Sequence, residues 1–93
     1  MKFRIGDKVF VKGHWNFPND CAGTIKKPPD IVVNLNADKN PWQGIHRFVK
    51  GKKGVIEFYW VKFDEPQMDG DGDGPYPEAE IEAECLKPLI KEI

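Results

Sequence analysis

The sequence of 93 residues contains no serine, only two cysteines and only two histidines, so the side chains that most often carry nucleophilic catalysis are scarce. His14 and His46 do not form a recognisable motif with Cys21 or Cys85. The cysteines lack the short C-x2-C spacing typical of zinc sites, and two are too few for a disulfide scaffold. We therefore expect no enzymatic activity and no small-molecule substrate.

Long apolar runs are absent too. No stretch approaches the roughly 18 apolar residues that a membrane-spanning helix needs. The first four residues, Met-Lys-Phe-Arg, lead directly into a strand-like pattern and do not resemble a secretory signal peptide. We therefore expect a cytoplasmic protein that keeps its thiols reduced and has no membrane partner.

Charge is balanced overall but unevenly distributed. The net charge is −1, yet residues 1–53 hold eleven Lys and Arg against four Asp and Glu, whereas residues 54–93 hold three against eleven. This asymmetry predicts two surfaces of opposite sign if the two halves do not interleave in space. It does not indicate a globally basic protein that binds nucleic acid.

The patterning predicts strands rather than helices. Nine glycines and eight prolines are too many for a helical bundle of this length, and no segment of helix length shows a period of 3.6 residues. Residues 55–63 are the strongest strand, because seven of the nine are β-branched or aromatic. We predict one all-β domain over residues 1–93, with one helical turn within 79–84 and strands within 5–13, 23–26, 31–35, 45–53, 55–63 and 86–90.

Several of these segments resemble known barrels. Residues 6–11 (GDKVFV), an aromatic-rich loop and residues 22–25 (AGTI) resemble the opening of SH3-like barrels, and residues 59–64 (YWVKFD) continue the likeness. The order is most similar to the electron transport accessory group, which comprises the PsaE subunit of photosystem I, the ferredoxin-thioredoxin reductase variable chain and a nitrile hydratase β-subunit domain. KOW domains share the Gly-Asp-x-Val start and the Gly-Thr-Ile strand.

The resemblance implies a small SH3-like barrel of about five strands. It also implies a non-catalytic accessory module that docks on a larger protein or complex. The sequence departs from that group in one respect, since residues 27–54 form a long insertion between the second strand and the long hairpin strand.

The acidic segment 69–80 matches the calcium-loop pattern D-x-D-x-D-G-x5-E. Its candidate ligands are Asp69, Asp71, Asp73 and Glu80. A strand precedes this segment where an EF-hand needs a helix, so we reject an EF-hand. We therefore expect no cofactor, and calcium is the alternative. We favour a solvated hairpin tip, in which the aspartates cap their own turn and the glycines supply positive φ angles.

The long strand is apolar on both faces. Tyr59, Val61 and Phe63 share one face, and Ile56, Phe58 and Trp60 share the other. One face should line the barrel, and we expect the insertion to cover the other. If the second face is open, Phe58, Trp60 and Trp42 are the anchors of a protein interface.

Two further segments are candidate contact surfaces. The loop at residues 14–17 carries Trp15 and Phe17, which either face a partner or fold over the end of the barrel. The turn at residues 50–53 carries Lys50, Lys52 and Lys53, which suit phosphates or an acidic partner.

We therefore predict a binding or accessory module whose partner is another protein or complex. The first alternative is KOW-like or Tudor-like binding of nucleic acid, and the second is a calcium-binding acidic loop.

Overall fold

The computed structural model describes residues 2–89. Within that range, six strands form one antiparallel sheet that curls into a half-barrel, which confirms the prediction of a small, all-β, barrel-like fold. The strands are β1 (Lys8–Val11), β2 (Ala22–Ile25), β3 (His46–Gly51), β4 (Gly54–Gln67), β5 (Tyr76–Glu82) and β6 (Leu86–Pro88). A short helix, α1 (Asp30–Leu35), lies between β2 and β3, and a 3₁₀ turn (Ala83–Cys85) precedes β6.

Strand β4 is the centre of the sheet. It pairs with β3 through residues 54–59, with β2 through residues 61–63, and with β5 through residues 58–62 and 67. Strand β1 pairs with β2 on one side and with β6 on the other, so the first and last strands meet. Strand β4 therefore pairs with three strands, whereas β1 and β2 pair with two each and β3, β5 and β6 with one each.

The inner face of β4 lines the hydrophobic core. Tyr59 and Val61 are fully buried and Phe63 nearly so, and their neighbours across the sheet, Ile81 and Ala79, lie on the same side. The Tyr59 hydroxyl accepts hydrogen bonds from the backbone N–H groups of Lys2 (2.8 Å) and Phe3 (3.2 Å). This buried phenol therefore ties the N-terminal segment to the end of the barrel.

Strands β2 and β4 approach each other closely at Gly23. A Cβ atom at this position would lie 2.6 Å from the backbone oxygen of Lys62 and 2.6 Å from a methyl carbon of Val61. Since a real side chain cannot be accommodated at that distance, glycine is needed for the pairing of Gly23 with Phe63.

The segment 31–35, predicted as a strand, is instead part of helix α1. The β-branched residues suggested a strand, but the prolines before them favour the start of a helix. The backbone carbonyl of Pro29 accepts hydrogen bonds from Val32 and Val33, and Asp30 lies in the first turn, where a carboxylate complements the helix dipole. The insertion thus contributes a helix of six residues rather than a further strand.

The predicted helical turn at 79–84 is also wrong for most of its length. Strand β5 continues to Glu82, and only the 3₁₀ turn Ala83–Cys85 is helical. Ala79 and Ile81 point inward while Glu80 and Glu82 point to the other face, which is the period of two that a strand requires. The predicted last strand is present as β6, and its final residue, Ile90, lies outside the described residues.

Helix α1 is far too short to cross a lipid bilayer. None of the helices formed by residues 2–89 has the length and apolarity of a membrane span.

Candidate partner-binding groove

A groove of about 410 Å³ lies between the loop after β1 and the outer face of β4 and β5. We call it the Trp15 groove, after its most exposed aromatic side chain. Trp15 is 77% exposed, although tryptophan is among the residues that gain most from burial. The groove is lined by His14, Trp15, Asn16, Phe17, Ile56, Phe58, Glu80, Glu82 and Glu84.

The indole of Trp15 rests on a fixed support, the ring of His14. The two rings are stacked, with centroids 5.5 Å apart and an interplanar angle of 29°. The His14 Nδ1 atom accepts hydrogen bonds from the backbone N–H groups of Asn16 (3.1 Å) and Phe17 (3.0 Å). That acceptor role assigns the proton to Nε2, which lies 3.2 Å from Oε1 of Glu82 and donates to it. Both ring nitrogens of His14 are therefore used to hold the loop that presents Trp15.

The floor of the groove is apolar and comes from β4. Ile56 is 41% exposed and Phe58 is half-buried, and both side chains lie on the outer face of the strand. They line the groove together with the exposed indole of Trp15. An apolar floor beside an exposed aromatic ring is the usual composition of an energetically important contact surface.

The far wall is acidic, because β5 and the 3₁₀ turn contribute three glutamates. Glu82 is used by His14, and the Glu80 Oε1 atom lies 2.5 Å from Nε of Arg47. Glu84 is exposed and forms no ion pair with any residue within 2–89. The wall of the groove that β5 and the 3₁₀ turn form is therefore negatively charged.

The prediction that the insertion covers the second face of β4 holds for Trp60. Trp42, from the insertion, and Trp60 are each only 8% exposed, and their rings meet edge to face at 5.8 Å. The Trp60 indole N–H donates to Glu78 (2.5 Å) and that of Trp42 to Asn36 (2.9 Å). These tryptophans, proposed as anchors of an open face, are therefore structural, because their rings and polar atoms are used within the chain.

Phe17 is likewise a core residue rather than a contact residue. Its ring is buried and packs against Phe63 at 5.1 Å and against Tyr76 at 6.1 Å. The loop at residues 14–17 thus does both of the things that its sequence allowed. It folds Phe17 over the end of the barrel and turns Trp15 outward.

The three lysines of the basic turn are exposed at the tip of the β3–β4 hairpin. Lys52 and Lys53 line a second depression of about 480 Å³, which Val55, Ile56 and Glu84 also line. Lys50 is exposed on β3, opposite Val55. The basic tip therefore adjoins the acidic end of the Trp15 groove, so that the opposite charges of the two halves of the sequence meet at this surface.

The acidic loop after β4 uses its first carboxylate for its own backbone. The Asp69 Oδ1 atom accepts hydrogen bonds from the N–H groups of Asp71 and Asp73, both at 2.9 Å. Glu80, the proposed fourth ligand, lies on β5 and is paired with Arg47. Among residues 2–89, no three His, Cys, Asp or Glu side chains are grouped so as to hold a metal ion. The predicted ligand set is therefore not brought together.

Both cysteines are buried and carry free thiols. Burial is the largest cause that raises the pKa of the Cys21 thiol, and Asp20 adds a smaller electrostatic effect. Burial also raises the pKa of Cys85 most, followed by the charges of Glu82 and Glu84. A raised pKa leaves fewer thiolates at neutral pH, which lowers the reactivity of both thiols.

Sequence reasoning named Trp15, Phe17 and Phe58 as contact residues and placed Ile56 on the same strand face as Phe58, but it did not predict the acidic wall of the groove. His14 was considered only for a motif with the cysteines, and Glu82 and Glu84 were not singled out. One signal was available, namely the alternation of Glu78, Glu80 and Glu82 with apolar residues, which predicts a carboxylate row on one face of a strand.

Comparison with known proteins yields no relative: no protein family model matches the chain, and neither a curated protein nor a solved structure is significantly similar to it. The likeness to the electron transport accessory group and to KOW domains stays a prediction.

Proposed function

We propose that this chain is a non-catalytic docking module that binds a protein partner through the Trp15 groove. A cytoplasmic location and an accessory role on a larger complex are part of the proposal. The observation that carries it is the exposed indole of Trp15, held in place by His14 beside an apolar floor. A rigid aromatic side chain gains much by burial against a partner and loses little conformational entropy.

The position of Trp15 supports an interface rather than an incidental exposure. The loop could have buried Trp15 instead of Phe17, yet three hydrogen bonds of His14 fix the arrangement that turns Trp15 outward. Ile56 extends the apolar surface beneath it. Exposed apolar groups gathered in one groove mark contact surfaces more reliably than single exposed residues do.

The charges around Trp15 favour protein over nucleic acid. The carboxylates of Glu80, Glu82 and Glu84 line the same groove, and they repel a phosphate backbone. Lys50, Lys52 and Lys53 would attract phosphates, but they lie at the hairpin tip outside this groove. Stacking of a base on Trp15 would therefore bring a phosphate towards the acidic wall.

Site-specific photocrosslinking in a lysate of the native source tests the proposal. A photoreactive phenylalanine analogue is introduced at Trp15 and, as a matched control, at Leu35, which is also 77% exposed but lies on helix α1. We expect position 15 to crosslink to a discrete protein and position 35 to yield none.

Capture of the same protein is then compared between the wild type, Trp15→Ala and Leu35→Ala, with amide NMR spectra showing that both variants fold. We expect capture to be lost only with Trp15→Ala. Equal capture by all three proteins would refute the Trp15 groove as the docking site, and crosslinks to RNA alone would support the nucleic-acid alternative instead.

A further inference from the structure

We infer that the occupant of the Trp15 groove is an extended segment of the partner that carries an arginine or lysine side chain, which binds between Trp15 and the acidic wall. This inference rests on the proposed function and adds the chemistry of the partner. Charge complementarity favours a basic side chain, because Glu84 places an exposed carboxylate in the groove that also holds the exposed ring of Trp15. A cation that meets both an indole and a carboxylate gains from each.

The chain already binds one of its own basic side chains in this way. The guanidinium of Arg47 lies 5.6 Å from the ring centre of Trp42 and 5.9 Å from that of Phe58, and its Nε donates to Glu80. Two aromatic rings and one carboxylate thus already bind a guanidinium on this face of the sheet.

The Trp15 groove adjoins the site of Arg47 and contains the same kinds of groups, namely aromatic rings and a carboxylate. Phe58 and Glu80, which contact Arg47, also line the groove, where Trp15 takes the place of Trp42 and Glu84 provides the free carboxylate. The Trp15 ring, unlike that of Trp42, has no cation over it from any residue within 2–89. A basic side chain of the partner would complete the second set.

The neighbouring lysines limit how basic the partner segment can be. Lys52 and Lys53 line the depression that adjoins Glu84, so a long polybasic run would meet like charge as it leaves the groove. One or two basic residues in an otherwise small and apolar segment fit the surface better. Alternate residues of an extended chain point the same way, so two basic residues two positions apart can face the groove together.

Titration with defined peptides tests this inference. The probe is acetyl-Gly-Ala-Arg-Val-Lys-Ala-Gly-amide, and the controls replace both basic residues by glutamine or by glutamate. Binding is followed by amide NMR and by the indole N–H signal of Trp15. We expect the basic peptide to shift the signals of Trp15 and Glu84, and we expect the glutamate peptide to leave them unchanged.

Two matched variants test whether the charge of Glu84 contributes to binding of the basic peptide. Glu84→Gln should weaken binding of the basic peptide about two- to five-fold, as expected for a partly exposed ion pair, and Glu65→Gln, which changes an exposed glutamate on β4, should not. Trp15→Ala should abolish the shifts. Raised salt should weaken binding of the basic peptide but not alter the spectrum of the free protein.

The outcomes separate this inference from the proposed function. Equal affinity for the basic and glutamine peptides would overturn the charge chemistry while leaving the groove a docking site. Shifts confined to residues 69–75, or no shifts at roughly 5 mM peptide, would overturn the inference as well. Failure of the docking proposal itself would show separately, as partner capture that does not depend on Trp15.

Discussion

Trp42 meets Trp60 edge to face, with ring centres 5.8 Å apart and planes at 89°, although the two residues come from separate segments of the chain. Trp60 lies on the long strand β4, whereas Trp42 belongs to the insertion. The guanidinium of Arg47 lies over the ring of Trp42, and the Arg47 side chain is only 13% exposed to solvent. The insertion is therefore part of the folded unit and not an appendage of the barrel.

Trp42→Ala should lower the free energy of unfolding by about 3 kcal/mol, because it removes a buried aromatic ring and leaves a cavity over Trp60. Denaturation with urea, followed by circular dichroism, measures the loss. Leu35→Ala is the control, since Leu35 is exposed on the same insertion and should change stability by less than about 0.5 kcal/mol. Similar small effects for both variants would show that the insertion does not stabilise the sheet.

Tyr59→Phe should cost about 1–2 kcal/mol, since the buried N–H groups of Lys2 and Phe3 lose their shared acceptor while the ring packing stays intact. Hydrogen exchange at Phe3 should accelerate more than at core amides of β4. Tyr76→Phe is a matched control because Tyr76 is more exposed, and its replacement should leave exchange at Phe3 unchanged. Unchanged protection of Phe3 in Tyr59→Phe would contradict this role.

Alkaline pH should destabilise the protein through Tyr59. Burial raises the pKa of this phenol most, the charge of Glu57 adds to the rise, and the two backbone hydrogen bonds oppose it. Above the ordinary value of about 10, the unfolded chain therefore loses a proton that the folded protein still holds, and stability falls as pH rises. Stability measured across this window should fall less steeply in Tyr59→Phe than in the wild type, and parallel curves would be evidence against the prediction.

The acidic loop should behave as a self-capped turn rather than as a calcium site. Asp69→Ala removes the acceptor for two backbone N–H groups and should cost about 1 kcal/mol, whereas Asp71→Ala should be nearly neutral. We expect millimolar calcium to leave the amide signals of residues 69–80 in place. A calcium-dependent shift that disappears in Asp71→Asn would restore the metal hypothesis.

Both thiols should react slowly while the protein is folded. Burial raises the pKa values of Cys21 and Cys85, which lowers the thiolate fraction at pH values near 8 and blocks access. An aromatic disulfide reagent should therefore modify the folded chain at least about ten-fold more slowly than the denatured chain. Comparable rates would mean that one thiol is open to solvent.

The sequence was sufficient to predict most of the strands because their signals are local, whereas strand β5 was missed because residues 79–84 were expected to form a helical turn. The aromatic and β-branched run around Tyr59 and Trp60 predicts a strand from its composition alone, and β4 extends that run at both ends. Helix α1 was missed because Ile31, Val32 and Val33 favour a strand by propensity. The hydrogen bonds that the Pro29 carbonyl accepts begin a helix there instead.

The groove was only partly predictable because it joins distant parts of the chain. Trp15 could be proposed from its loop, but its exposure depends on His14, which depends in turn on Glu82, 68 residues away. Likewise, nothing local distinguishes the exposed Trp15 from the buried Trp42. The difference comes from which side chains the tertiary fold brings to each ring.

The close approach at Gly23 has a consequence for how the chain finds its native pairing. Because β4 carries large apolar side chains on both sides, shifting it by a single position against β2 would still bury aromatic rings, and hydrophobicity alone discriminates poorly between the two alignments. In the native alignment, Gly23 lies against the Lys62 backbone and a side-chain methyl of Val61, where a Cβ atom does not fit. Glycine at position 23 thereby permits the native alignment. A bulkier residue there would obstruct the native alignment specifically, so it should favour misaligned, aggregation-prone molecules and not merely a less stable version of the same fold.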